Sequence, residues 1–290
     1  MNENVGSAVS FKCMSREVSL RKTVCGQTVI CGDCVEMMRT MEDESFDVVC
    51  TSPPYNIDAR YRRYKDKKPR DEYIDWLLQV VVEIKRLLKA DGSLFLVMAG
   101  KCSDPALPFD ALSPIKRLMK LQNHIIWVKS IAIGDDPRLS FGHYKPVNSN
   151  RFEHNCFENV FHLTKTGKVA CDKLAIGLPY KWKCNRKNRK TKELGPDLRP
   201  RGNTWYVRYD TIQHKSERFY HPSPFPPKLV EMCIRFHGLK KKPTVLDPFL
   251  GIGNTLLACD KLGLEGVGVD MDEAYCKNVV TLLEAKNGRT

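Results

Sequence analysis

No apolar run in this 290-residue chain approaches the roughly 18 residues that a membrane-spanning helix needs. Met1–Ser10 is polar and lacks the apolar stretch of a secretory signal, so the expectation is a soluble intracellular protein. A metal framework is missing too. Of twelve cysteines, only Cys31-Gly32-Asp33-Cys34 forms a C-x-x-C, and no second pair stands at zinc-site spacing. Cys50, Cys233, Cys259 and Cys276 sit inside apolar runs, as reduced cysteines used as small hydrophobes do. The full G-x-G-x-x-G fingerprint is also absent: Gly251 and Gly253 are followed by Leu256 at the third position. Membrane, metal and ordinary dinucleotide chemistry are therefore disfavoured.

Acid is scarce relative to base, with a net charge of +13, and the excess is concentrated. Arg60–Arg70 carries net +6 and Lys181–Arg201 carries net +7, so the rest of the chain is neutral. Most charge runs are simply solvated faces. Two concentrated runs interleaved with Tyr61, Tyr64 and Trp182 fit a polyanion better, and nucleic acid is the leading one. Neither run has the pattern of an amphipathic helix, which places a membrane surface second.

What the chain has is Thr51-Ser52-Pro53-Pro54-Tyr55-Asn56, directly after the apolar run Phe46–Cys50. That run reads as a buried strand, so the six residues fall at a strand's C-terminal end, where open α/β sheets hold ligands. Two prolines remove two donors and stiffen the arm. The Ser52 hydroxyl and the Pro53 carbonyl then stand beside the ring of Tyr55. Two acceptors beside a flat ring suit a planar group bearing an amine, such as a nucleic-acid base taken out of its stack. The bland alternative is a rigid turn with a core tyrosine.

Elsewhere the chain alternates strand and helix. Strands are expected at 28–31, 46–50, 93–99, 124–129, 158–164, 244–246 and 266–270. Helices are expected at 34–41, 71–88 (stopped by Asp91-Gly92), 105–121 (interrupted at Pro108 and Pro114), 228–237, from about 254, and 272–286. Residues 1–26 are weakly patterned. Such alternation implies a mostly parallel sheet with helices on both faces. Pattern weakens from 130 to 213, where Pro, Gly, Asn and basic residues rise. The expected organisation is a first core half, 1–129, an inserted region, 130–213, and a second core half, 214–290.

The second half contains strand, Gly-x-Gly, helix, and then a strand ending in Asp270. Glycines let a ligand approach backbone, and an acid about twenty residues on is placed for ribose hydroxyls. Because the loop opens with Asp247-Pro248-Phe249, an adenosine ligand without phosphates is favoured, and S-adenosylmethionine fits. Asp33, another carboxylate at a strand end, either caps the next helix or joins the ligand site.

Together these residues resemble the beta group of DNA amino-methyltransferases. Asp247-Pro248-Phe249-x-Gly251-x-Gly253-x-Thr255 is similar to their cofactor motif, and Thr51-Ser52-Pro53-Pro54-Tyr55 to their catalytic motif. The catalytic motif comes first, with a basic insertion between, which is the permuted order of that group. His221–Pro226 is similar to the segment before its cofactor motif. The resemblance covers about 28–129 and 215–285. It implies a Rossmann-like S-adenosylmethionine-dependent methyltransferase fold with circularly permuted motifs and an inserted target-recognition region.

The same resemblance implies methyl transfer from S-adenosylmethionine to an exocyclic amine of a base flipped out of double-stranded DNA. Ser rather than Asp at position 52 is similar to members that modify cytosine at N4, and adenine N6 is the alternative. Ser52, Pro53, Pro54 and Tyr55 become the catalytic arm, with the base stacked on Tyr55. Asp33, Phe225, Pro226, Asp247, Pro248, Phe249, Gly251, Gly253, Asn254, Thr255, Asp270 and Met271 become the cofactor site. Arg60, Arg62, Arg63, Lys65, Lys181, Lys183, Arg186, Lys187, Arg189 and Lys190 become DNA contacts. No metal is implied. A homodimer is compatible, as is a cognate restriction endonuclease as a functional rather than physical partner. The location is a prokaryotic cytoplasm or nucleoid, or a nucleus. Methylation of RNA or of a protein glutamine, and a nucleic-acid-binding protein with a non-catalytic cofactor site, are the competing readings.

Overall fold

The computed structural model describes residues 20–142, 147–182, 186–187, 193–208 and 224–287. Its strands are β1 (Leu20–Val24), β2 (Gln27–Cys31), β3 (Phe46–Thr51), β4 (Leu88–Met98), β5 (Lys120–Val128), β6 (Ile131–Ala132), β7 (Ser140–Phe141), β8 (Phe157–Thr164), β9 (Leu178–Pro179), β10 (Leu198–Arg199), β11 (Thr204–Tyr206), β12 (Val245–Asp247) and β13 (Gly266–Asp270). Its helices are α1 (Cys34–Arg39), α2 (Arg70–Leu87), α3 (Leu107–Leu118), α4 (Pro227–His237), α5 (Asn254–Leu262) and α6 (Glu273–Asn287).

Nine strands form one sheet in the order β1-β2-β13-β12-β3-β4-β8-β5-β11. β2, β13, β12, β3 and β4 pair in parallel. β8 runs antiparallel between β4 and β5, and β11 lies parallel to β5. The central strands read as unbroken apolar runs because both faces of the sheet are covered. All six residues of β3 are buried. On one face, α2 packs against α1 and α3 with the stripe Tyr73, Leu77, Val80, Val81, Ile84 and Leu87 turned inward. Each such side chain contributes about 1.5–3 kcal/mol on burial. On the other face, α4 and α5 cover Trp127, Trp205, Phe95 and Val245. Acids in the first turn of α2 (Asp71, Glu72) and bases in its last (Lys85, Arg86) suit the helix dipole.

One adjacency positions everything that follows. β12 pairs with β3, Val245 opposite Val48 and Leu246 opposite Val49. The Pro-Pro-Tyr arm and the Gly-x-Gly loop, about 200 residues apart in the chain, therefore leave the sheet side by side at its C-terminal edge. This is a switch point, with β13 and β2 on one side and β4 on the other.

Several local expectations are corrected. Asp91-Gly92 does not stop α2, which ends at Leu87. Leu88 opens β4, and Asp91-Gly92 lies where the β3–β4 register shifts between Phe46 and Val48. A Cβ on Gly92 would sit 2.9 Å from Leu88 and 3.0 Å from the Lys89 carbonyl, so the irregularity requires glycine. α3 is continuous: Pro108 occupies the first turn, where its missing N–H costs nothing, and Pro114 is carried inside the helix. β1, unforeseen, is a polar edge strand paired to β2. Within 130–213, β8 and β11 belong to the main sheet, so this span supplies core strands as well as loops.

Candidate active site

Thr51 ends β3 fully buried, and its hydroxyl donates to Asp247 Oδ1 at 2.7 Å. Asp247 also accepts the Phe249 N–H at 3.0 Å and the Thr255 hydroxyl at 2.6 Å. It is wholly buried, and burial pushes its carboxyl up to about 6 against the pull of those three bonds. Asp247 and Thr255, expected to touch a cofactor, are instead a buried rivet. They tie the arm to the glycine loop and to the start of α5, and neither is among the walls of the two cavities described below.

Past the rivet the loop turns on Gly251 (φ +52°) and Gly253 (φ +88°). A Cβ on Gly253 would meet the Val279 methyls at 2.7 Å. The Gly251 N–H donates to Asp270 Oδ2 at 2.8 Å, and Asp270 Oδ1 accepts from Asp272 N–H at 2.8 Å. Burial pushes the Asp270 carboxyl up to about 6. Asp33 caps α1, its Oδ1 accepting from Val35 at 2.9 Å and Glu36 at 3.0 Å, while it still borders the same cavity.

That cavity, about 330 Å³, has Asp33 and Asp270 among its polar walls and Trp76, Phe249 and Tyr275 among its apolar ones. Met271 lies at its rim, about half exposed. Ser52 and Pro54 border it on the catalytic side. A narrower cleft beyond Ser52 and Phe249 is lined by Phe225, Gly251 and Asn254, whose Nδ2 donates to the Phe225 carbonyl at 2.7 Å. Pro226 is buried at the start of α4, and Pro248 lies within the rivet turn. The sequence-derived cofactor residues thus converge on one site, some as walls and some as supports.

The first basic run lies on a loop beside the arm. Asn56 (φ +59°) starts a loop that folds back on the arm. Asp66, almost fully buried, accepts backbone N–H groups of Asn56 at 2.7 Å, Ile57 at 3.1 Å and Ala59 at 3.0 Å. The Asn56 side chain exchanges two hydrogen bonds with the Lys68 backbone. So held, the loop presents Tyr61, Arg62, Arg63 and Tyr64 to the cavity, and Arg62 pairs with Asp272 at 3.4 Å. Arg62 and Arg63, expected on DNA phosphates, border this cavity and are also exposed to solvent. Arg60 and Lys65 bridge each other across the loop with exposed side chains. In the second run, Lys181 is exposed above the Trp182 ring at 5.4 Å and Lys187 is exposed. Arg186 is committed to the Gly195 carbonyl at 3.0–3.1 Å. Lys183, Arg189 and Lys190 lie outside the described residues, as do His221–Ser223.

At the arm, Tyr73 donates to the Pro54 carbonyl at 2.9 Å and pins it. Tyr55, expected to offer an open stacking face, is 5% exposed and is not among the cavity walls. Its hydroxyl is drawn inward, donating to Glu158 Oε2 at 2.8 Å and lying 2.7 Å from Ser52 Oγ. Lys129 donates to the other oxygen of Glu158 at 2.9 Å. Burial and the Glu158 charge hold the Tyr55 hydroxyl well above its ordinary pKa, so it stays protonated. Glu158 and Lys129 were not singled out from sequence. A glutamate opening a strand carries no local mark of a partner 103 residues away.

Against known proteins, residues 46–281 match the family model N6_N4_Mtase, described as DNA methylase. The chain is 27% identical over 254 residues to the Type II methyltransferase M.BglII of Bacillus subtilis, covering 84% of this chain and 65% of that protein. It is 25% identical over 255 residues to the DNA adenine methyltransferase YhdJ of Escherichia coli, covering 87% and 80%. In fold it is similar to the PvuII DNA methyltransferase (cytosine-N4-specific), with a TM-score of 0.65, 19% identity, and coverage of 92% and 88%. It is also similar to TTHA0409 of Thermus thermophilus, whose structure is complexed with S-adenosyl-L-methionine. There the TM-score is 0.54 at 22% identity, with coverage of 88% and 92%. The matched span runs from β3, which carries the Pro-Pro-Tyr arm, into α6 behind the glycine loop, and the chain belongs to the N6/N4 DNA methylase family.

Proposed function

We propose that the protein transfers a methyl group from S-adenosylmethionine to the N4 amine of cytosine in double-stranded DNA. The observation that carries the reading is the position of Ser52, a residue that borders both the acid-and-aromatic cavity and the narrow cleft beside it. An amine held at Ser52 stands next to whatever fills the cavity.

S-adenosylmethionine fits the residues present. Asp270 and Asp33 are carboxylates for hydroxyl and amine groups, Trp76, Phe249 and Tyr275 are apolar walls, and the volume is within the range of small-ligand sites. When bound, it would supply an electrophilic methyl group on a sulfonium and leave as the neutral thioether, with the surplus proton of the methylated amine passing to solvent. The chain's own residues position the nucleophile. Ser52 Oγ and the Pro53 carbonyl accept hydrogens of the exocyclic amine and turn its lone pair towards the cavity. Tyr73 and the Asp247 rivet keep the arm in place. Such catalysis is positioning plus electrostatics, with no covalent enzyme intermediate. Exposed Arg60, Lys65, Lys181 and Lys187 take phosphates. The remainder of 130–213 reads the target sequence.

Ser at position 52 supports cytosine through its resemblance to N4-modifying members. Adenine N6 is the second reading, favoured by the similarity to a DNA adenine methyltransferase. The test is to incubate the protein and methyl-tritiated S-adenosylmethionine separately with unmethylated duplex DNA, RNA and denatured protein. Label in DNA alone is expected. Label in RNA or protein, or cofactor binding with no transfer, overturns the reading.

A further inference from the structure

The arm contains a directional hydrogen-bond chain. Tyr55 has one hydroxyl hydrogen and two neighbours, Ser52 Oγ at 2.7 Å and Glu158 Oε2 at 2.8 Å. A carboxylate can only accept, so the Tyr55 hydrogen belongs to Glu158. Tyr55 Oη must then accept, and the Ser52 hydroxyl is the donor that remains. Its hydrogen is directed away from the cavity, and its lone pairs are left for the cavity side. Lys129 donates to the other oxygen, Glu158 Oε1, at 2.9 Å, and the Glu158 and Lys129 side chains are 12% and 24% exposed.

We propose that Glu158 is a positioning residue that acts through Tyr55 to lock Ser52 as a pure hydrogen-bond acceptor. The lock makes the site selective for an exocyclic amine. An amine hydrogen meets a lone pair, whereas a carbonyl oxygen at the same place meets lone pair against lone pair. The inference rests on amine methylation as the function and holds whether the amine is on cytosine or adenine.

Reversing the chain gives the test. In Glu158→Gln, Lys129 holds the amide oxygen and the amide N–H₂ faces Tyr55. The tyrosine hydrogen turns to Ser52, and the serine hydrogen turns to the cavity, where it opposes the incoming amine. Single-turnover methyl transfer to saturating duplex DNA falls by about 30- to 100-fold, the size expected for losing a hydrogen bond supported by a charged group. Tyr55→Phe, which frees Ser52 to rotate, costs about tenfold. The double variant Tyr55→Phe/Glu158→Gln falls only as far as Tyr55→Phe alone, because Tyr55→Phe removes the hydroxyl hydrogen that Glu158→Gln turns onto Ser52. Independent structural roles predict the product of the two losses instead. Lys129→Met breaks the ion pair as fully as Glu158→Gln but leaves a carboxylate for Tyr55, so its rate stays within about fivefold of wild type.

A multiplicative double variant, an unaffected Glu158→Gln, or a Lys129→Met loss equal to that of Glu158→Gln overturns the proposal. S-adenosylmethionine affinity and melting temperature, measured alongside, identify any variant that has lost its fold. The chain can also be read in the resting protein. A downfield, slowly exchanging Tyr55 hydroxyl proton that vanishes in Glu158→Gln supports the lock, and its absence in wild type refutes it. Absence of transfer by wild type refutes the proposed function and is a separate result.

Discussion

Asp247 makes stability depend on pH in a calculable way, and replacing it by Asn removes that dependence. In the folded protein its carboxyl titrates at about 6, because burial outweighs three hydrogen-bond donors. In the unfolded chain an aspartate titrates near 3.9. As pH rises from about 4 to 6 the unfolded chain sheds its proton first, so the unfolded state binds fewer protons and stability falls. This group's contribution is full below pH 4 and is lost as pH passes through 6. About two pKa units correspond to roughly 3 kcal/mol. Asparagine has the same shape and no proton to lose. Urea unfolding of wild type and Asp247→Asn at half-unit steps from pH 4 to 8 measures the difference directly. Wild-type stability relative to the variant should drop by about 3 kcal/mol between pH 4 and 7, roughly 5–10 °C in melting temperature, and then level off. A constant difference shows that the three hydrogen bonds cancel the burial cost. A difference that grows in favour of wild type reverses the sign and refutes the reasoning.

Further outcomes follow from single contacts. Gly253→Ala forces a Cβ to within 2.7 Å of Val279 at a φ of +88°, so a loss of about 1–3 kcal/mol and weaker cofactor binding are expected in calorimetry. Asp66→Ala strips the acceptor from three backbone N–H groups. The loop should then open, showing faster tryptic cleavage at Lys65–Lys68 and roughly tenfold weaker S-adenosylmethionine affinity. Lys181→Ala with Lys187→Ala should weaken DNA binding and lower its salt dependence by about two units of slope, while cofactor affinity is unchanged. Unchanged slope would remove these side chains from the DNA surface.

Features encoded over a few residues were legible in the chain. The apolar run 46–50, the stripe along α2 and the glycines after β12 each carry a local period or a backbone requirement, and the elements formed where those signals lay. The convergence of the Pro-Pro-Tyr arm and the glycine loop was inferable from strand alternation and family resemblance. The roles of individual charges were not. Asp66 reads as one acid diluting a basic run, yet it clasps the loop, because only the folded turn brings three N–H groups to it. Arg62 and Arg63 read as phosphate grips from charge density alone, and only the folded loop shows that they also border the cavity. Tyr55 reads as an open ring because nothing near it in sequence announces Glu158. Asp247 has the residue type of a ligand contact, and only its complete burial reveals a rivet.

The most direct measurement of the central claim is mass spectrometry of nucleosides. Unmethylated mixed-sequence duplex DNA is incubated with the protein and deuteromethyl S-adenosylmethionine, then digested to nucleosides. The account predicts deuterated N4-methylcytosine, lost when Ser52 is changed to Ala. Deuterated N6-methyladenine would keep the site and contradict the base assignment, and the absence of any labelled base would contradict the account itself.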